Sequence, residues 1–568
     1  MKFMPDWLRH YEQQSLSGDL VAGLIVTVML IPQSLAYAML AGLPPEVGLY
    51  ASILPIVVYA WFGSSMTMAV GPVAVVALMT ASALSPLAAA GSAEYVSLAI
   101  SLAAISGVVL VGFGLLKLGF LSHLLSRPVI SGFISGSAIL IAVGQAKLLL
   151  GIQVASSDNV VVNIWRLLQR LPEVNIPTAI IGIASLLFLF FSKRSLAVLL
   201  GRWMPMKRAD ILAKLAPMLA IIVSTAAVAL FGLDQNNSVK IVGAVPQGLP
   251  NLIFPDFSTS TISLLWVPAL LISLVGFVES ISVAQSLALK RQQFIKPNKE
   301  LVGLGAANLA SAVSGGFPVT GGFSRSVVNF AAGAQTPLAG VISALLMAVV
   351  IAGLTGWFYY LPHAALAATI IVAVVSLIDM QILRDSWRFD KADAAAFLGT
   401  ALGVLLFGVE AGIVTGVVVS VFTLLWRASK PHMAVVGRVP NTEHYRNIER
   451  HSTETQPGLV AVRVDESLSF TNINAVVDVL GQRVVEYTDC RYLLLVCTAV
   501  NQIDLTALET LSDFERDLAK HDVNLLLAEV KGPVMDRIRT TEFGQRMAGR
   551  EFLSVHQAFE YVAANKDK

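Results

Sequence analysis

The sequence predicts a polytopic α-helical membrane protein of about 14 spans, built as a 7+7 inverted repeat with two half-helices and followed by a small α/β domain. Three observations predict it. Only 13% of the 568 residues are charged and 55% are hydrophobic, against about 25% charged in soluble globular chains. Apolar segments recur from about residue 18 to about residue 426, and two of them are short and interrupted by Gly and Pro. Beyond them charges become frequent and the apolar runs shrink to strand length. The formal net charge of +2 gives no basis for a polyanion-binding surface, so nucleic acid is not an expected partner.

Residues 1–17 form a polar segment without the apolar core of a cleavable leader, and are expected on the cytoplasmic side. The first apolar stretch, "LVAGLIVTVMLIPQSLAYAML", is long enough to span, since a core of about 30 Å needs about 20 helical residues. In it, Gln33 and Tyr37 are four apart and share a helix face. Pro32 removes a backbone donor just before them and leaves polar groups for neighbours or a ligand to satisfy. Gln33 reads as a ligand contact; Tyr37 fits a ligand contact and wall packing equally well.

The short segments are "MTMAVGPVAVVALMTASAL" and "GFPVTGGFSRSVVNFAAG". Each has a strand-like start, a Gly/Pro break and a helical run too short to cross the bilayer. They follow the start of a long span at similar distances, Asp19 to Gly71 and about Leu265 to Gly321. This spacing suggests repeats over about 18–232 and 262–428, inverted because seven spans each is an odd number. Half-helices that begin inside a membrane aim unpaired N–H groups and positive dipole ends at each other, which makes an anion site. The other reading is a pair of packing elements without a ligand.

Arg325 lies in the first turn of the second half-helix, the wrong sign for that end of the dipole and costly at membrane depth. A visiting anion offsets both penalties, and the guanidinium fork suits a carboxylate or tetrahedral oxyanion. A permanent salt bridge offsets them too. The candidate partner is Glu279, in "LLISLVGFVESISVAQSLALKR", whose burial makes it a candidate proton carrier. Ser282, three residues on, is placed to orient it or to touch the substrate.

The predicted cytoplasmic loops hold Lys193, Arg194, Arg202, Lys207, Arg208, Lys290, Arg291, Lys296, Lys299, Arg384, Arg388 and Lys391. The predicted outer loops hold Arg166, Arg170 and Lys240, so the bias puts both termini in the cytoplasm. After a linker over 429–456, residues 457–568 alternate strands with amphipathic helices, the pattern of a small α/β domain. That domain has no Gly-rich phosphate loop, metal-ligand set or nucleophile–base cluster, so neither catalysis nor a cofactor is expected. Cys490 and Cys497 read as reduced thiols.

The stretches "IPQSLAYAMLAGLPPEVGLYASILPIVVYAWFGSS", "GPVAV" and "NKELVGLGAANLASAVSGGFPVTGGFSRSVVNFAAGAQTPLAG", with the tail, make the chain similar to the sulfate permease (SulP) family of anion transporters with a C-terminal STAS domain. The resemblance implies core and gate domains, a homodimer in the inner membrane and elevator-like transport. It implies an anion held between the half-helices by Gln33, Tyr37, Val73, Phe323, Ser324 and Arg325. An acidic residue at Glu279 resembles the proton-coupled plant and bacterial sulfate transporters, so the expected activity is proton-coupled sulfate symport. Sodium-coupled bicarbonate and proton-coupled dicarboxylate carriers are the alternatives, with a nucleobase permease or anion channel behind them. In the STAS-like tail, Asp504-Leu505-Thr506-Ala507 stands where the family has an Asp-Ser-Ser-Gly type loop. Thr506 stands at the family's phosphorylatable serine position, a departure from its pattern that argues less for phosphoregulation than for binding of a cytosolic protein partner or of the membrane domain by the tail.

Overall fold

The computed structural model describes residues 5–565 apart from 124–125, 156, 158, 206–208, 210–212, 214 and 488. Lys207, Arg208 and the side chains of Lys193 and Arg194 therefore lie outside the described residues, as do residues 1–4 of the N-terminal segment. The chain forms two compact units, Met1–Ser420 and Val421–Lys568.

The first unit is helical. Among the described residues, seven helices are long and apolar enough to cross a membrane, among them Ser15–Leu40, Arg127–Leu150 and Thr259–Leu289. Five shorter apolar helices join them, including Ala74–Leu84 and Ile176–Phe191. Large apolar side chains such as Ile180, Leu187, Val223 and Leu230 are left exposed on the outside, as befits a surface that faces lipid rather than water.

Without a hydrophobic force between helices in lipid, close packing rests on small residues. The helices Ala93–Leu115 and Pro297–Val313, one from each half of the unit, show this. A Cβ on Gly107 would lie 2.9 Å from the Gly305 carbonyl oxygen, and one on Gly305 2.8 Å from that of Gly107. Larger residues would force the helices apart.

Two buried carboxylates tie loops to helix ends. Asp19 accepts from the Gln335 and Thr336 amides and the Thr336 hydroxyl at 2.7, 3.0 and 2.7 Å. Glu300, fully buried in the first turn of Pro297–Val313, accepts from Tyr59 Oη at 2.6 Å, Ser64 N at 2.7 Å, Ser64 Oγ at 2.6 Å and Ser65 N at 2.9 Å. Glu300→Ala strands these donors in the interior and is expected to cost about 3 kcal/mol or more. A thermal melt of the detergent-solubilised variant should show a clearly lowered midpoint.

The two interrupted segments meet. β1, Val70–Gly71, pairs antiparallel with β2, Thr320–Gly321, in the register Val70 to Gly321 and Gly71 to Thr320. The half-helices Ala74–Leu84 and Phe323–Ala331 leave from that ribbon. An antiparallel junction between equivalent segments is what oppositely oriented halves require.

The second unit carries a six-stranded sheet in the order β4-β3-β5-β6-β7-β8. Here β3 is Met433–Arg438, β4 Tyr445–Asn447, β5 Leu459–Val464, β6 Tyr492–Val496, β7 Asn524–Ala528 and β8 Glu551–Phe552. The strands from β5 to β8 are parallel, and β3 is antiparallel to both its neighbours. The runs "LVAV", "LLLV" and "LLLA" are apolar throughout because helices cover both faces. Helices Ile473–Glu486, Leu505–Lys520 and Gly532–Arg539 pack on one face, and Val555–Ala564 packs on the other. The stretch expected as a linker, 429–456, contains β3 and β4: the run "MAVVGR" buries four successive residues in the sheet.

Both cysteines are free. Burial, with Glu529 nearby, pushes the Cys497 thiol up to about 12. Asp465, just after β5, accepts from Arg463 Nε at 2.5 Å and lies 2.7 Å from His432 Nδ1. Its hydrogen bond from Arg463, then that from His432, holds the carboxyl below the usual carboxylate range. The stability this contributes is full above the unfolded value of about 3.9 and is lost as pH falls through the lower folded value. Asp465→Asn should remove that acid-sensitive part, less than about 1 kcal/mol for so accessible a group, read from denaturation midpoints of the full chain at pH 7 and pH 3.

Candidate functional site

The ribbon is held by polar side chains of the helices around it, and the second half-helix is tied by its own Ser326 and Asn329 to the strand-like start of the first interrupted segment. Asn308 acts as a strand edge, receiving Val319 N on Oδ1 at 2.9 Å and donating Nδ2 to Val319 O at 2.8 Å. Thr320 Oγ1 donates to Gly276 O at 2.7 Å, so the 2.6 Å contact with Ser280 has Ser280 as donor. Ser280 Oγ in turn accepts from Gly321 N at 2.9 Å. Ser326 Oγ accepts from Ala69 N at 3.0 Å, and Asn329 Nδ2 donates to Thr67 O at 3.0 Å. Every unit of this network crosses between elements, which fixes where the half-helices begin.

Those beginnings face one cavity. Neither half-helix has a side-chain cap: Val73 and Gly322 occupy the capping positions and offer no oxygen to the first turn. The first-turn amides that a cap satisfies elsewhere are left to the cavity. Gln33, Tyr37, Val73, Phe323, Ser324, Arg325 and Glu279 all line it. The structure thus brings together the six residues expected to contact substrate and the one expected to carry a proton. The cavity measures about 40 Å³, room for about three waters or one small oxyanion. Phe323 is 48% exposed and Ser324 exposed, whereas Arg325 is only 2% exposed.

The guanidinium of Arg325 has Nη1 and Nη2 buried without any hydrogen-bond partner, and Glu279 Oε2 is likewise buried and unpartnered. The two side chains share the cavity without the locked salt bridge that was the competing expectation. Gly322 leaves room for the arginine: a Cβ there would lie 2.9 Å from Arg325 Nη2 and 3.0 Å from its Nε. Two buried cationic donors with nothing to donate to, beside two uncapped helix N-termini, form a site that can take an anion.

Ser282 corrects an expectation. Its hydroxyl turns back to Val278 O at 2.7 Å and it does not line the cavity; Ser280, two residues earlier, is the serine built into the ribbon. The sequence reading missed Ala373, Val374 and Leu377, which close the cavity from the end of helix His363–Val375 and just beyond it. In the second unit, Thr506 is exposed in the first turn of Leu505–Lys520, after Asp504, which caps that helix by accepting from Ala507 N at 2.8 Å.

An α-helical membrane unit with paired half-helices around an unneutralised arginine is the architecture of an anion carrier, here joined to a small α/β unit. The pattern of the Sulfate permease family matches residues 16–400 and that of the STAS domain residues 450–558. The chain is 35% identical to Sulfate transporter 4.1, chloroplastic, of Arabidopsis thaliana, over 98% of its own length and 81% of that protein's. It is 33% identical to a protein of Mycobacterium tuberculosis named a probable sulfate transporter, covering 94% of this chain and 92% of the other. The chain belongs to the sulfate permease family. Its fold is shared with murine Solute Carrier 26 family member A9 in the inward-facing state, with a TM-score of 0.90 at 22% identity over 99% and 94% of the two chains. The transmembrane domain of a cyanobacterial bicarbonate transporter superposes with a TM-score of 0.61 at 25% identity, over 71% of this chain and 98% of that one.

Proposed function

We propose that the protein is a secondary active carrier that moves sulfate together with a proton across a bacterial cytoplasmic membrane, with both termini inside and the half-helix unit moving as an elevator. The observation that carries this reading is the pair of unpartnered Arg325 nitrogens in a cavity that also holds the unpartnered carboxylate of Glu279. Arg325 and the half-helix N-termini neutralise the incoming dianion, and Gln33, Tyr37, Val73, Phe323 and Ser324 form the walls around it. Ionised, Glu279 competes with that anion for the guanidinium; protonated, it does not. Loading a proton therefore raises the affinity for sulfate, and release of one favours release of the other. The sulfate-transporter names of its plant and mycobacterial relatives support the choice of substrate. Thr506 and the exposed surface around it are the part of the tail offered to a cytosolic regulator, and two copies form the working unit.

The test is uptake into proteoliposomes of sulfate, bicarbonate, succinate, fumarate and chloride, with proton and sodium gradients imposed separately. Sulfate uptake stimulated by an inward-acid gradient and indifferent to sodium is the expected result. Sodium-driven bicarbonate uptake, or sulfate uptake blind to the acid gradient, would overturn it.

A further inference from the structure

We infer that Thr400 is the hydrogen-bond acceptor for the protonated carboxyl of Glu279, which on taking its proton turns out of the anion cavity into a dry chamber beside it. The inference rests on the proton-coupled reading above and names the group that stabilises the loaded state.

Glu279 lines two cavities. One is the anion cavity; the other is a chamber of about 30 Å³ behind it, walled by Val129, Phe133, Val275 and Ile413 among others. Thr400 is the single polar side chain besides Glu279 among the described residues of that chamber's wall. It is fully buried, and its Oγ1 donates to Ala396 O at 2.8 Å. The hydroxyl hydrogen is thereby committed and the oxygen lone pairs remain free to accept. A carboxylate has no place in such a chamber, since an apolar wall cannot replace its hydration. A carboxylic acid does, provided that its one O–H finds an acceptor.

The titratable and charged groups facing Glu279 are Tyr37 from Ser15–Leu40 and Arg325 from the second half-helix. The first half-helix and His363–Val375 present only apolar side chains to the anion cavity. Helices Arg127–Leu150, Lys391–Phe407 and Val409–Ser429 present only apolar side chains and Thr400 to the chamber. The ionised form is thus drawn toward Arg325 and the neutral form toward Thr400. One rotation frees the guanidinium for the anion and moves the proton to the interface with the chamber helices.

The experiment compares sulfate uptake against external pH for the parent, Thr400→Val and Thr400→Ser in proteoliposomes. Removing the acceptor destabilises the protonated form, so Thr400→Val should need more acid, its half-maximal pH falling by about 0.5–1 unit. At saturating acidity the KM for sulfate should stay as in the parent, and Thr400→Ser should keep the parent profile. A Thr400→Val profile that superimposes on the parent overturns the inference, and so does an equal shift in both variants, which would reflect packing. Infrared difference spectra of the detergent-solubilised parent give a readout that needs no Thr400 variant. The protonated-carboxyl band that Glu279→Gln removes should lie where a hydrogen-bonded acid absorbs; a free-acid band overturns the inference. Acid-driven accumulation retained by Glu279→Gln would instead remove the coupling reading itself, whatever Thr400 does.

Discussion

Arg325→Ala is expected to abolish sulfate uptake while leaving the empty protein at least as stable as the parent. The two halves of that result have one cause. Nη1 and Nη2 make no hydrogen bond in the protein, so truncation breaks no partner's bond and removes a buried charge that costs free energy to keep there. The anion, by contrast, loses the one cationic side chain that lines the cavity among the described residues. Truncating one member of a buried, hydrogen-bonded charge pair costs about 2–5 kcal/mol, which is about 30- to 4000-fold in affinity. Arg325→Lys should recover only part of this, because a point charge replaces a planar fork. Uptake and thermal melts with and without sulfate read both halves: sulfate should raise the melting midpoint of the parent and not that of Arg325→Ala. If the variant melts far below the parent without sulfate, the arginine is a structural strut rather than an anion receptor.

That arginine was legible in the sequence because it breaks a rule. A cation beside a helix N-terminus within an apolar segment is costly enough to demand a reason. The Gly-Pro interruptions at Gly71 and Pro318 are equally conspicuous, since they forbid a continuous span. What stayed hidden was apolar or depended on phase. Ala373, Val374 and Leu377 close the same cavity, yet an apolar residue on a membrane helix reads the same whether it faces lipid, core or ligand. Ser280 and Ser282 differ by about 200° around the helix at 3.6 residues per turn, and nothing local says which of them meets the ribbon. The strand Met433–Arg438 sits among charged loop residues, and its apolar run of only four residues before Gly437 is too short to stand out from a linker. Glu300 had a visible signal, a carboxylate in the first turn after Pro297, where a helix N-terminus favours it. Its four donors come from residues 59–65, more than two hundred positions away, and no spacing in the sequence announces them.

Glu279→Gln should separate the two events that the carrier joins. The amide has the size of the acid, carries no charge at any pH and so holds position 279 in the electrical state of the proton-loaded form. Arg325 is then never opposed, and the site takes sulfate without first taking a proton. Exchange of labelled for unlabelled sulfate across the membrane should persist, and its dependence on pH between 5 and 8 should flatten. Accumulation against a gradient should disappear, because an imposed pH difference acts only on a group that changes its proton occupancy. Expressed as driving force, a pH difference of one unit offers about 1.4 kcal/mol per proton, a tenfold accumulation that the parent can use and the variant cannot. A variant that exchanges and still accumulates sulfate under an inward-acid gradient would place the proton on another group. One that neither exchanges nor binds sulfate would show that the carboxylate is needed for the site itself, through the geometry it shares with Arg325 and Tyr37 rather than through its charge.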